Sequence, residues 1–189
     1  MNDMSNVPLQ SKDEIEQWYD QEDPWNYEDS IEDRKRKDIL LHELPEHTFR
    51  KTLDIGCGHG FVTRDLPGKH VIGIDISEKA IVQARKLGIP KKLQQRKFEY
   101  FAEDLFTLSP NVTKHKFDLI LITGVLYPQY IGQANTLVYH IIDQLLAPDG
   151  ILVSVHISEW YTARFPYLLL QEHHYPFHQF THHMEIYSK

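Results

Sequence analysis

The clearest order in the chain is a beat of short apolar runs separated by amphipathic stretches, beginning at Lys51. The runs Thr52–Ile55, His70–Ile74, Phe98–Ala102, Phe117–Thr123 and Gly150–His156 predict strands. Gly60–Leu66, Glu78–Leu87 and Gly132–Leu145, with a short piece near Glu103–Leu108, predict helices. Leu119-Ile120-Leu121-Ile122 is continuously apolar, which suits a strand buried on both faces of a parallel sheet. Alternation of this kind predicts βαβ units and a doubly wound α/β fold. Beyond His156, Tyr167–Tyr175 and Phe180–Ser188 predict two further short strands around Pro176, paired as an antiparallel hairpin at the sheet edge. The expected sheet is therefore seven-stranded and mostly parallel.

Ahead of Lys51 the pattern changes. Met1–Ser11 is polar and predicts disorder. Lys12–Tyr19 predicts a short helix, with Ser11 as N-cap and Glu14 completing a capping box. Asp23-Pro24-Trp25 breaks it. Ser30–Leu44 predicts an amphipathic helix with Ile31, Ile39, Leu40 and Leu44 as contacts and Pro45 beyond. Residues 1–45 are thus expected to form a helical segment outside the α/β domain of 46–189. Trp18, Tyr19, Trp25 and Tyr27 are dense for so polar a stretch, and we expect them to form a lid, with Trp25 touching the substrate.

Composition narrows the class. A chain of 189 residues suits one domain and should bury roughly 70% of its unfolded surface. A single cysteine, Cys57, rules out an intrachain disulfide and fits a reducing, cytoplasmic setting. There is no long apolar run and no leader pattern at Met1–Gln10, so no membrane partner is expected. The net charge of −7 argues against nucleic acid. The basic run Arg34-Lys35-Arg36-Lys37 is interleaved with acids and reads as a solvated helix face.

The chemistry concentrates at Leu53-Asp54-Ile55-Gly56-Cys57-Gly58-His59-Gly60. A strand ending in alternate glycines and followed by a helix predicts a ligand loop at the carboxyl end of a parallel strand. Asp75 ends the second strand, 19 residues after Gly56. There a carboxylate can accept hydrogen bonds from both hydroxyls of a ribose. Ser77 is placed to cap the next helix. The glycines run G-x-G-x-G rather than the dinucleotide G-x-G-x-x-G, and no Lys-Ser/Thr follows as a triphosphate loop requires. Asp54 would repel a pyrophosphate but could hold a cation. S-adenosylmethionine, with a ribose, a sulfonium, an ammonium and no phosphate, fits those features.

At these residues the chain resembles the Rossmann-like S-adenosylmethionine-dependent methyltransferases. Leu53–Gly60 resembles their first motif, Asp75 their ribose acid, and Ala102-Glu103-Asp104-Leu105 the motif that meets the adenine. Phe117–Ile120 followed by Gly124-Val125-Leu126-Tyr127 resembles the fourth-strand motif. Leu145–Leu152 resembles the L-x-P-G-G turn, with Asp149 replacing the first glycine. The resemblance implies cofactor contacts from Asp54, Gly56, Gly58, Gly60, Asp75, Ile76, Asp104, Leu105 and Thr123, with S-adenosylhomocysteine as product. Asp23-Pro24-Trp25, the helix around Glu32 and Val125-Leu126-Tyr127 resemble the nodulation-protein-S-like subfamily, which implies a small-molecule acceptor: an amine or amino sugar, or a hydroxyl.

Methyl transfer needs alignment, water exclusion and, for a hydroxyl, a base. Tyr127 after strand four and His156 at the end of strand five are the candidate catalytic groups. Glu159 and Trp160 are candidate substrate contacts. The histidines at 173, 174, 178, 182 and 183 read as edge-strand surface, because neighbours in a strand point to opposite faces and no cysteine accompanies them; no metal is expected. Cys57 reads as a small turn residue. Two other functions share this fold: a nicotinamide-dependent oxidoreductase, opposed by the glycine spacing and Asp54, and a non-catalytic S-adenosylmethionine-binding module.

Overall fold

The computed structural model describes residues 7–88 and 95–189; part of the segment expected to be disordered, residues 1–6, lies outside them. Seven strands form one sheet: β1 (Lys51–Ile55), β2 (His70–Asp75), β3 (Lys97–Ala102), β4 (Phe117–Thr123), β5 (Leu146–Ile157), β6 (Leu168–Phe177) and β7 (Phe180–Ser188). Their order is β3-β2-β1-β4-β5-β7-β6. The first five are parallel, and β7 enters between β5 and β6 antiparallel to both. The helices are α1 (Lys12–Trp18), α2 (Ile31–Glu43), α3 (Glu78–Leu87), α4 (Pro110–Thr113), α5 (Pro128–Ile131) and α6 (Asn135–Leu145).

Strand parity explains the layers. In β4, Ile120 and Ile122 pack with Val138, Ile142 and Leu145 of α6, while Leu119 and Leu121 pack on the other face with Leu40 of α2, Phe61 and Leu66. A continuous apolar run is what a strand covered on both sides requires. The chain leaves β1 to one side for β2 and β3, then returns to its other side as β4. That reversal opens a crevice at the carboxyl ends of β1 and β4.

Local signals hold at several helix starts. Ser11 and Glu14 form the capping box of α1, Ser30 caps α2, and Ser77 caps α3 through the Ala80 amide. Asp149 adopts φ +59°, the left-handed conformation that aspartate tolerates better than most residues.

Four expectations need correction. Only a 3₁₀ turn, Thr63–Asp65, stands where Gly60–Leu66 predicts a helix, because Pro67 drives Leu66 out of the helical region to ψ 145°. The α-helix expected to aim its N-terminus at the glycine loop is therefore replaced by that turn. Helix α6 begins at Asn135 rather than Gly132, whose φ is +54° and ψ −124°. The hairpin turns at His178 (φ +51°), so Pro176 sits within β6, where an edge strand tolerates it. Finally, β7 is an interior strand, and His182 and His183 are buried rather than on the surface.

Candidate active site

The crevice holds a cavity of about 500 Å³, within the range typical of small-molecule sites. Its floor is the loop after β1. Gly56 adopts φ +73°, and a Cβ there would lie 2.2 Å from Val125 Cγ2. Gly58 adopts φ +53°, and a Cβ would meet the Tyr19 hydroxyl at 2.9 Å. Both line the cavity; Gly60 does not, its bare Cα instead giving room to Tyr100. Gly60 thus stands one step back from the cavity, beside Tyr100.

Two carboxylates flank this floor. Asp54 is 1% exposed; its Oδ2 accepts a 2.6 Å hydrogen bond from Thr63 Oγ1, and its Oδ1 has no partner. Burial, with Asp75 nearby, pushes its pKa up to about 7. Asp75 is oriented by two backbone amides, Gly58 N on Oδ2 and Ser77 N on Oδ1, both at 2.9 Å. Burial raises its pKa and those two bonds draw it back. Ile76, Asp104, Leu105 and Thr123 line the same cavity, with Asp104 Oδ1 held by the Phe106 amide at 2.8 Å. Apart from Gly60, the structure thus gathers the expected cofactor residues around one space.

Residues of the N-terminal segment form the wall across from the strands: Ile15, Trp18, Tyr19, Trp25, Tyr27, Asp33 and Arg36. The segment is pinned to α3. Glu16 accepts from Ser77 Oγ at 2.9 Å, Glu78 N at 2.6 Å and Lys79 N at 3.3 Å, so a distant carboxylate meets the helix N-terminus. Gln83 Nε2 donates to the Tyr19 and Gln21 carbonyls. Trp25 is 41% exposed and packs edge-on against Trp18 at 4.9 Å. Farther along, Glu28 clamps Arg64 with both oxygens at 2.7 Å.

Arg36 departs from the solvated face expected for its basic run. It is buried beside Asp33, one turn back on α2, with Nε 3.1 Å from Asp33 Oδ1. Its positive charge lowers the pKa values of Asp54, Tyr127 and His182. Sequence reasoning missed this pair because nothing local says that α2 turns a charged face inward.

The remaining wall is aromatic. The Tyr127 hydroxyl accepts from Ile157 N at 3.0 Å, and burial pushes its pKa up to about 12, so it stays protonated at neutral pH. Trp160 packs edge-on against Tyr127 at 5.2 Å and Phe180 at 4.9 Å. His182 lines the cavity, stacked on Phe177 at 3.9 Å, and its Nδ1 is buried without a partner.

Two expected site residues lie elsewhere. His156 is 1% exposed but does not line the cavity; its ring packs against Tyr161 and His183, and burial pushes its pKa down to about 3. Strand parity is the reason: His156 and the cavity-lining Val155 point to opposite sides of β5. Glu159 is exposed, outside the cavity, with both oxygens 3.2 Å from Thr181 N. His182 of β7 reaches the cavity instead, with His178 of the hairpin turn beside it on the lining. The period-2 alternation of β7 could have separated His182 from His183, but only once that strand was known to be interior. Cys57 is buried in its turn, with its thiol pKa raised, in keeping with a packing role. Among the described residues, no helix is long and apolar enough to cross a membrane.

Comparison with known proteins gives this geometry relatives. The chain is 39% identical over 67 residues to ribosomal RNA large subunit methyltransferase G of Pseudoalteromonas atlantica, covering 32% of this chain and 17% of that protein. It is 30% identical over 102 residues to probable thiol methyltransferase 2 of Arabidopsis thaliana, covering 53% of this chain and 43% of that one. The chain thus spans less than half the length of these curated relatives. In fold it is similar to the N-methyltransferase NodS from Bradyrhizobium japonicum, solved with S-adenosyl-L-homocysteine: TM-score 0.75, 22% identity, 94% of this chain and 97% of that one. This agrees with the nodulation-protein-S-like resemblance of the sequence. A family model described as a methyltransferase domain matches residues 47–186, from just before β1 almost to the end of β7. On that match, the chain belongs to the methyltransferase domain family.

Proposed function

We propose that this methyltransferase takes its methyl group from S-adenosylmethionine and delivers it to a small molecule, an amine or amino sugar ahead of a hydroxyl. The observation that carries the donor assignment is Asp54: a buried carboxylate with an unpartnered Oδ1 at the floor of a glycine-lined cavity. An empty lone pair of that kind is costly unless a cation or donor meets it, and the cofactor offers an ammonium and a sulfonium. When bound, S-adenosylmethionine supplies a methyl group made electrophilic by the positive sulfur. Asp75 is in place to accept the ribose hydroxyls, and Asp104, Ile76 and Leu105 to frame the adenine. Relatives crystallised with S-adenosylmethionine or its product support the same assignment.

The acceptor wall favours an amine. An alcohol needs a base, whereas an amine need only arrive neutral. Tyr127 is held protonated, Asp33 is tied to Arg36, and burial pushes the His182 pKa down to about 3, which leaves it a weak base. Tyr127 can donate its proton to the acceptor, and His182 Nδ1 can accept an N–H. Trp25 and Trp160 exclude water and offer apolar surface to a ring or sugar, while Tyr27 is stacked on His59 and Phe61 behind them. A thiol is the second reading, supported by the thiol methyltransferase relative and by a thiolate's equal independence from a strong base.

Calorimetry with S-adenosylmethionine, S-adenosylhomocysteine and NAD tests the donor. Binding of the first two is expected; binding of NAD alone would overturn the proposal in favour of an oxidoreductase. Asp75→Ala should weaken S-adenosylhomocysteine at least about tenfold, the lower end for a hydrogen bond to a charged group. A transfer screen over amino sugars, amines, phenols and thiols then sorts the acceptors, and no transfer to any of them would favour a binding module.

A further inference from the structure

His183 follows His182 in β7, and alternation sends it to the other face of the sheet. There it pairs in register with His156 of β5 and His174 of β6, while Glu185 pairs with Ser154 and Glu172 in the next row. Three imidazoles and two carboxylates therefore share one patch away from the cavity. Ligand atoms of His156, His183 and Glu185 all lie within 4.8 Å of one another, and all three residues are buried.

The patch is short of partners. Glu185 is 0% exposed, and neither oxygen accepts a hydrogen bond. His156 Nε2 is also unpartnered. His183 Nε2 lies 3.3 Å from Glu172 Oε2 and 3.8 Å from Glu185 Oε1. The nearby cation is Arg164, whose Nε is 3.3 Å from Glu185 Oε1 and whose second hold is on Glu172 at 2.6 Å. Its side chain is half-exposed, so it covers the patch from the rim. Glu185 thus has one half-exposed guanidinium against Oε1 and no hydrogen bond to either oxygen, a sparse set of partners for a fully buried carboxylate that a further cation would complete.

We propose that His156, His183 and Glu185 bind a divalent transition-metal ion, with zinc as the best match to this nitrogen and oxygen donor set. Zinc bonds to histidine and carboxylate at about 2.0–2.2 Å, which sets tetrahedral ligand atoms roughly 3.4 Å apart. The three ligand atoms, now within 4.8 Å of one another, would close to that spacing around the ion. Glu172, at the rim and already on His183, is positioned as a fourth ligand once Arg164 swings outward. The ion would fasten β5, β7 and β6 together, and with them the hairpin that brings Phe177, Phe180 and His182 to the cavity.

The test uses the full chain, stripped with a chelator and titrated with Co²⁺ and then Zn²⁺. One equivalent of Co²⁺ should give the visible d–d bands of a four- or five-coordinate site, Zn²⁺ should bleach them, and Zn²⁺ should raise the Tm. Glu185→Gln keeps the side chain's shape and removes the buried charge; it and His156→Gln, with folding checked by circular dichroism, should weaken binding more than about tenfold, as even loss of an outer-sphere partner can. His174→Ala should bind as the wild type does. Arg164→Gln should bind more tightly, since it removes the competing cation. Absence of the bands in the wild type, or bands that persist at full strength in both Glu185→Gln and His156→Gln, would overturn the site. Loss of stability in Arg164→Gln that Zn²⁺ does not restore would instead make the guanidinium the permanent counter-ion, and would equally overturn it.

Discussion

Asp54→Asn should separate stability from binding. In the folded protein the Asp54 carboxyl titrates at about 7, against 3.8 for an ordinary aspartate. A raised carboxyl pKa means that folding favours the protonated form. On this group's account, stability is fullest below about pH 4, falls as pH rises, and levels off above about pH 7. Every tenfold change in proton affinity on folding corresponds to about 1.36 kcal/mol, so the full penalty approaches about 4 kcal/mol at pH 8; relaxation in the real protein makes roughly 2–4 kcal/mol the working range. Asparagine preserves the bond from Thr63 Oγ1, which needs only a carbonyl oxygen. It has no charge to desolvate.

The substitution is therefore expected to raise the Tm at pH 8 by about 5–15 °C, at 2–4 °C per kcal/mol for a chain of this size. At pH 4 the two melting curves should nearly coincide. Calorimetric binding should move the other way, with S-adenosylmethionine weakened roughly 10- to 150-fold by loss of a hydrogen bond to a charged group. Wild-type affinity should also fall as pH drops below about 7, because Asp54 must give up its proton to meet a cation; the variant should lack that dependence. A variant that melts lower than wild type at pH 8 would refute the burial argument, and one that binds equally well would refute the assignment of Oδ1 to the cofactor.

Two further substitutions probe the walls. Glu16→Ala strips the N-terminus of α3 of three hydrogen bonds to Glu16 and should cost about 0.5–2 kcal/mol by urea melt, the range for a lost cap. If the segment is a lid, the acceptor KM should rise as well; an unchanged KM would reduce it to a structural brace. Tyr127→Phe leaves Ile157 N–H buried without its acceptor and should cost about 1–3 kcal/mol, with kcat falling more than S-adenosylhomocysteine affinity if the hydroxyl meets the acceptor.

What is legible in the sequence is what short-range physics decides. The period of β4, the glycines around Cys57, the Ser77 cap and the offset of Asp75 each rest on a few neighbouring residues. What escapes depends on where distant pieces meet. His156 and His182 have the same chemistry, and only the interior position of β7 decides which reaches the cavity. Arg36 has the composition of a surface residue until α2 is docked. Glu16 caps a helix 62 residues away. Pro67 is the exception: it is a local signal against a helix over Gly60–Leu66, outweighed by the pattern expected after a glycine loop.

That division follows the chemistry. The proposed donor half of the cavity is made by loops at the ends of β1, β2, β3 and β4, each within a few residues of its strand, so its residue types appear in sequence order. The proposed acceptor half is made by α1, α2 and the β6–β7 hairpin, from opposite ends of the chain, and its residues come together only when the sheet is complete. A donor site can be kept while those ends change, because its carboxylates are held by groups of the β1, β2 and β3 loops (the Thr63 hydroxyl on Asp54, the Gly58 and Ser77 amides on Asp75, the Phe106 amide on Asp104) and its floor by glycine conformations. The acceptor should then track the aromatic and charged residues of the two termini. Exchanging the β6–β7 hairpin, with Phe177, Phe180 and His182, for that of a relative should change which small molecule is methylated and leave the affinity for S-adenosylhomocysteine in place.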